Sequence, residues 1–404
     1  MIFLVALILS SSVFANLNFG KDFSLTKFDF DKFKIEFNEK FFEGIFPDTI
    51  TSNEKTFDVT YSINKNLEKQ VKRYLRRYRS DYASVVIIDN NTGSVLTAID
   101  YTKKTKEFGT AITFSSTNPA ASIFKVITAA DLLENKKVDS ETPFSYSGKS
   151  STLYKYQLKN KKNKWTRTIP FKKAFARSNN VIFGKAAQKN TTAVSLQNTA
   201  NKFGFNHDLF QLLDVGESQV FTATTNYGLA ELASGFNKAT MISPVHGAVI
   251  ASVIANEGYL VNPKLITRVY DSKNEREIWK PEHLKKKVLS KESADELNTM
   301  MRLTVQSGTA RGAFRANKMR RIKNIDVAGK TGSITGGIPF GKRDWFVSYA
   351  KPNDKTGDNG ISVCVMIVNV KKWYIKSTYL AKKIIQYYYD DLQRLESKTK
   401  AVIK

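Results

Sequence analysis

A single cysteine, Cys364, stands in 404 residues, so no disulfide can form within the chain. It sits in "ISVCVMIVNV", where a buried structural thiol is the reading. Histidine is almost as scarce. His207, His246 and His283 are far apart in sequence and lack paired ligand spacing, so no metal site is visible and no cofactor is called for. No apolar run is long enough to cross a bilayer as a helix, which takes about 20 residues. No repeat recurs at a solenoid or propeller period. Zinc-finger spacing and the aromatic signature of RNA-binding modules are missing too.

What is present is a globular composition, 42% hydrophobic and 25% charged, which argues against wholesale disorder. The length allows one large domain or two ordinary ones. Acidic residues number 37 against 63 lysines and arginines, a net charge of +26 that calls for an anionic partner or surface. The lysines are spread along the chain, not gathered into one basic arm. Nucleic acid and a bacterial envelope rich in phosphate and carboxylate explain the charge equally well, and composition alone does not choose.

The first fifteen residues, "MIFLVALILSSSVFA", carry a short apolar run, Ile2 to Leu9, with Val13 and Ala15 at the positions of a cleavage site before Asn16. They lack the usual basic n-region. Export by a signal peptide over 1–15 is the expectation, with a buried N-terminal segment as the alternative. A short segment follows over 16–60. Within it, "KFDFDKFKIEF" (27–37) alternates polar and apolar with one slip and predicts a half-buried strand with a bulge. From Asn66 to Asp81, Leu67, Val71, Tyr74, Leu75 and Tyr78 share a helical face, with Arg73, Arg76 and Arg77 mostly off it.

"SVVIIDNNTGSVLTAID" (84–100) predicts two strands around an Asn-Asn-Thr-Gly turn. "DWFVSYA" (344–350) and "ISVCVMIVNV" (361–370) predict adjacent strands, and "TYLAKKIIQYYYDDLQRL" (378–395) a closing helix. Strands, many helices, then strands again imply an α/β (α+β) fold, an antiparallel sheet flanked by helices with a mostly helical subdomain. One domain is expected over 61–395, with a tail over 396–404.

The chemistry centres on "PAASIFKVITAADLLE" (119–134). Residues three apart share a helical face, so Lys125 can lean back toward Ser122. The neighbours Ile123, Phe124, Val126, Ile127, Ala129 and Ala130 are apolar all round, which buries the helix. Burial disfavours an ammonium ion and turns a lysine into a neutral amine. A neutral amine beside a hydroxyl is a general base for a serine nucleophile. The spacing alone means little, since Ser-x-x-Lys recurs at Ser24, Ser62, Ser348 and Ser397 among others. Only the pair at Ser122 opens a buried helix.

Two further stretches supply partners. "FARSNNVIFGKAA" (175–187) holds Ser178-Asn179-Asn180, and "IDVAGKTGSITGG" (325–337) holds Lys330-Thr331-Gly332-Ser333 at the end of a strand-like run. A second Lys-Thr-Gly, at Lys355, lies in a turn of Pro, Asn, Asp and Gly and reads as a loop.

The three motifs, in this order, resemble those of the penicillin-binding transpeptidases and their serine β-lactamase relatives. "ISPVHGAVIASVIANEGYLVNPKLI" (242–266), "SGTARGAF" (307–314) and "VVIIDNNTGSVLTAI" are similar to further segments of that family, so the resemblance runs over about residues 60–390. It implies the penicillin-binding transpeptidase fold. It also implies that Ser122 attacks the penultimate D-alanine of a peptidoglycan stem peptide, with Lys125 as proton acceptor and Ser178 as relay to the leaving amine. Asn180 would hold the substrate amide. Lys330 would supply positive potential, and Thr331 and Ser333 would bind the substrate carboxylate. The backbone N–H groups of Ser122 and Ser333, beside Gly332, would form the oxyanion hole.

The family most often has threonine where Ser333 stands; the hydroxyl is kept. The stretch before residue 60 is too short for a glycosyltransferase domain, so a monofunctional enzyme is expected. Partners implied are peptidoglycan stem peptides, β-lactams as covalent inhibitors and components of a cell-wall synthesis complex, with no nucleic acid. The location implied is periplasmic or extracytoplasmic, either free or membrane-associated. A D,D-carboxypeptidase would use the same residues with water as acceptor; a β-lactamase or a non-catalytic β-lactam sensor fits less well.

Overall fold

A computed structural model describes residues 27–43, 46–52, 54–315, 324–353 and 357–402. The expected signal segment lies outside these residues. The first element corrects the sequence reading: Lys27–Phe42 is a helix, α1, not a bulged strand. Phe33, Phe37 and Phe41 recur every fourth residue and are all buried, stacking in turn along one face. The alternation seen over 27–37 ends before the third phenylalanine, and it is the four-residue spacing that finds a partner surface. That surface is a hairpin of β1 (Thr49–Ser52) and β2 (Lys55–Tyr61), where Phe57 meets Phe33 edge-on at 5.5 Å.

Helix α2 (Lys65–Tyr78) forms as the periodicity predicts, with Leu67, Val71 and Leu75 buried and Arg73, Arg76 and Arg77 exposed. Asn64 caps it by accepting the Leu67 N–H at 3.0 Å. Then come β3 (Tyr82–Asp89), β4 (Val95–Thr102) and β5 (Glu107–Gly109). The helical subdomain carries α3 (Lys125–Glu134), the hairpin of β6 (Pro143–Tyr146) and β7 (Arg167–Pro170), α4 (Phe171–Ala176), α5 (Asn180–Asn190) and α6 (Asn226–Ser234). After it stand α7 (Pro244–Ala255), β8 (Ile266–Asp271), β9 (Arg276–Trp279) and α8 (Lys291–Gln306). The chain closes with β10 (Ile325–Gly336), β11 (Gly341–Pro352), β12 (Ile361–Asn369) and α9 (Ser377–Val402).

The main sheet is antiparallel throughout in the order β10-β11-β12-β3-β4-β5. Its central strands are apolar without alternation because both faces are covered. In β12, Val363, Val365 and Ile367 face a core shared with α2 and α9, while Cys364, Met366 and Val368 face the core of α7 and the helical subdomain. Every residue of α7 is buried, as its all-round apolar sequence requires. Cys364 is buried as expected, and desolvation pushes its thiol pKa up. A second antiparallel sheet, β1-β2-β8-β9, joins residues 49–61 to 266–279.

Candidate active site

Ser122 lies in a 3-10 turn, Ala121–Phe124, that runs directly into α3 at Lys125. The residue before it, Ala121, has φ +50°, a left-handed conformation that costs a non-glycine residue of order 1–3 kcal/mol. The surroundings impose it. Gly235, just after α6, comes so close that a Cβ there would lie 1.8 Å from the Ala121 carbonyl oxygen. On the other side Gly332 of β10 leaves room for the turn: a Cβ would stand 3.2 Å from Ile123 and 3.4 Å from Ala121. The nucleophile is wedged between a helix end and a strand.

Lys125 is fully buried, and its Nζ has three polar neighbours: Ser122 Oγ at 2.9 Å, Asn180 Oδ1 at 2.7 Å and the Ser234 carbonyl at 2.5 Å. A neutral amine has two N–H donors and one lone pair. Asn180 and Ser234 can only accept at these atoms, so they take the two donors and leave the lone pair for the Ser122 hydroxyl proton. Desolvation, helped by the charge of Lys330, holds the Lys125 pKa well below the ordinary lysine value. Among the described residues no ion pair reaches Lys125. Asn180 is itself fixed, donating from Nδ2 to the Ser151 carbonyl at 2.9 Å.

Ser178 and Asn180 come from the corner between α4 and α5. Ser178 also sits in the left-handed region, at φ +54°. Asn179 caps α5 by accepting the Ile182 N–H at 3.0 Å, which turns its two neighbours toward the cleft. Lys330 on β10 is fully buried; its Nζ donates to Ser178 Oγ and to the Thr331 carbonyl, both at 2.9 Å. Burial lowers its pKa to about 7, so at neutral pH it is only part-charged until an anion arrives. Thr331 and Ser333 alternate with the buried Lys330 and Gly332 along the strand. The Thr331 hydroxyl lies 2.5 Å from that of Thr309, in the turn after α8.

All eight residues singled out in the sequence are thus brought to one place. Six of them line a cleft of about 470 Å³, and the buried Lys125 and Lys330 lie beneath its floor, bonded to Ser122 and Ser178. The sequence did not point to several others. The Ser234 and Ser151 carbonyls are backbone groups without a side-chain signature. Arg177, Lys238, Lys376 and Trp373 line the rim from segments far apart in the chain. Asp344 is the single carboxylate among the described lining residues, and its Oδ2 accepts the Ser377 N–H at 2.8 Å.

The penicillin binding protein transpeptidase domain family matches residues 83–386. Similar named relatives include penicillin-binding protein 1A of Clostridium perfringens strain 13, 28% identical over 235 residues, 55% of this chain and 31% of that protein. Another is penicillin-binding protein H of Bacillus subtilis strain 168, 34% identical over 110 residues, 26% of this chain and 14% of that protein. The matches thus span a third or less of these relatives' length. Among solved structures, the D,D-transpeptidase domain of a peptidoglycan glycosyltransferase from Eggerthella lenta superposes with a TM-score of 0.66 at 23% identity, covering 83% of this chain and 84% of that one. Penicillin-binding protein A of M. tuberculosis, as an imipenem acyl-enzyme complex, gives 0.63 at 19% identity, covering 82% and 79%. At these identities the likeness is one of fold.

Proposed function

Because the chain belongs to the penicillin-binding protein transpeptidase domain family, we propose that it is an exported D,D-transpeptidase, cross-linking peptidoglycan stem peptides through an acyl-enzyme on Ser122. The observation that carries this reading is the wholly buried Lys125 amine, 2.9 Å from the Ser122 hydroxyl and with no carboxylate partner among the described residues. Lys125 takes the hydroxyl proton as Ser122 Oγ bonds to the carbonyl carbon of the penultimate D-alanine. Backbone N–H groups at Ser122 and Ser333 stabilise the oxyanion. As the intermediate collapses, the C–N bond breaks and the proton that Lys125 took reaches the departing amine by way of Ser178, which gives up its own proton and takes one back, so Lys125 is neutral again. An acceptor amine then attacks the ester carbonyl as its proton passes to Lys125; the C–O bond breaks and Lys125 hands that proton to Ser122 Oγ, which restores both groups. The rim cations and Lys330 favour a substrate carrying carboxylates. Asp344, the lining carboxylate, is tied to the Ser377 N–H, which favours a long-lived acyl-enzyme over rapid hydrolysis.

Fluorescent penicillin tests the nucleophile: wild type should be labelled covalently and Ser122→Ala should stay dark on a denaturing gel. Unlabelled wild type, or labelled Ser122→Ala, rejects the assignment. Purified muropeptides test the acceptor. Dimers support transpeptidation, whereas trimmed monomers alone would make it a carboxypeptidase.

A further inference from the structure

A second cleft, sharing no lining residue with the first, encloses about 450 Å³ between the β6–β7 hairpin, the loop 158–166 and the C-terminal half of α5. Five lysines line it: Lys137, Lys161, Lys162, Lys185 and Lys189. No lining residue is acidic, and among the described residues none of the five is in an ion pair. Lys185 is half-buried at its wall and donates to the Ser145 carbonyl at 3.2 Å. Burial lowers its pKa below the ordinary lysine value. Ammonium groups around one cleft repel one another to the extent that salt, with a Debye length of about 8 Å at physiological strength, leaves them unscreened, and an anion placed among them relieves that repulsion.

The uncharged lining decides which anion. Ser147 and Thr166 are bonded to each other at 2.9 Å and Gln188 donates to the Asn226 carbonyl at 2.8 Å, yet with Asn160 they keep further donor and acceptor capacity that suits the hydroxyls of a polyol or sugar. The one ring in the lining, Phe144, packs against Phe171 in the core at 5.7 Å, and Trp165, exposed in the bordering loop, is outside the lining with the Lys164 ammonium over its ring, so no lining ring is free for a nucleobase to stack on. We infer that this cleft binds an anionic polyol-phosphate polymer, with phosphodiesters on the lysine ammoniums and hydroxyls on the amide and hydroxyl groups. The inference is independent of the Ser122 chemistry and would survive its failure.

The probe is poly(glycerol phosphate), titrated into the full chain at about 50 and about 200 mM salt, with affinity falling steeply between the two. The triple variant Lys161→Glu, Lys162→Glu, Lys189→Glu should weaken binding by about a hundredfold, and the milder Lys→Gln triple by about tenfold. Lys285→Glu, Lys286→Glu, Lys287→Glu makes the same charge change on an exposed strand elsewhere and should cost no more than about threefold. Thermal melts confirm that each variant is folded. Equal losses in the two glutamate triples would mean diffuse attraction to a basic protein and overturn the site, as would unchanged binding in the cleft variants. Oligothymidylate of matched charge, or phosphatidylglycerol vesicles, bound through the same lysines as tightly as the polymer would overturn the polyol-phosphate assignment.

Discussion

Replacing Lys125 with methionine keeps an unbranched side chain of similar reach and removes the nitrogen, with a thioether sulfur in place of one methylene. In the wild type that nitrogen contacts Ser122 Oγ, Asn180 Oδ1 and the Ser234 carbonyl. Without it two buried acceptors lose a donor, at about 1–3 kcal/mol each. The apolar methionine, fully enclosed, recovers about 1.5–3 kcal/mol. The net is a loss of about 2 kcal/mol, small enough for a chain of this size to stay folded. The chemical loss is larger. General-base catalysis contributes about 10²–10⁴-fold, so acylation by a fluorescent penicillin should slow by that factor. Stopped-flow labelling measures the rate, and a urea midpoint confirms the fold. Lys125→Arg sharpens the test, because a guanidinium keeps its proton and provides charge without a base. Acylation within about threefold of wild type in folded Lys125→Met or Lys125→Arg would refute the neutral-amine reasoning.

Two other outcomes follow from the same geometry. The folded pKa of Lys330, near 7, lies below that of an unfolded lysine, so between those values the unfolded chain holds the extra proton and stability rises with pH. From pH 7 to pH 9 the wild type should gain about 2 kcal/mol relative to Lys330→Met in urea titrations; equal slopes would show that Lys330 is not desolvated. Gly235→Ala puts a Cβ 1.8 Å from the Ala121 oxygen at φ +63°, and should destabilise the fold by about 3 kcal/mol while misplacing Ser122. A stable, normally acylating Gly235→Ala would mean that the turn is not wedged in the way described.

What could be read from the sequence was whatever one segment decides for itself. Ser122 and Lys125 share a turn, Ser178 and Asn180 flank a capping asparagine, and Lys330 to Ser333 occupy one strand, so each set keeps its own geometry. The β12 strand was legible because an unbroken apolar run of that length has few other uses. Helix α1 was misread because polar–apolar alternation and four-residue spacing coexist in one phenylalanine-rich stretch, and only the β1–β2 hairpin settles which face is buried. The third partner of the base, the Ser234 carbonyl, was illegible for a different reason: a backbone oxygen carries no side-chain identity, and tertiary packing alone delivers it.

The wedge between Gly235 and Gly332 has a bearing on how such a chain behaves while it is being made. The serine and its lysine emerge together, yet an amine still bathed in water keeps its proton and leaves the hydroxyl inert. The dry surroundings and the second cation come from segments far along the chain, Asn180, the Ser234 carbonyl and Lys330 on β10. Reactivity is therefore a property of the assembled chain, because the segment that carries the serine and the lysine does not by itself supply the dry surroundings the amine needs.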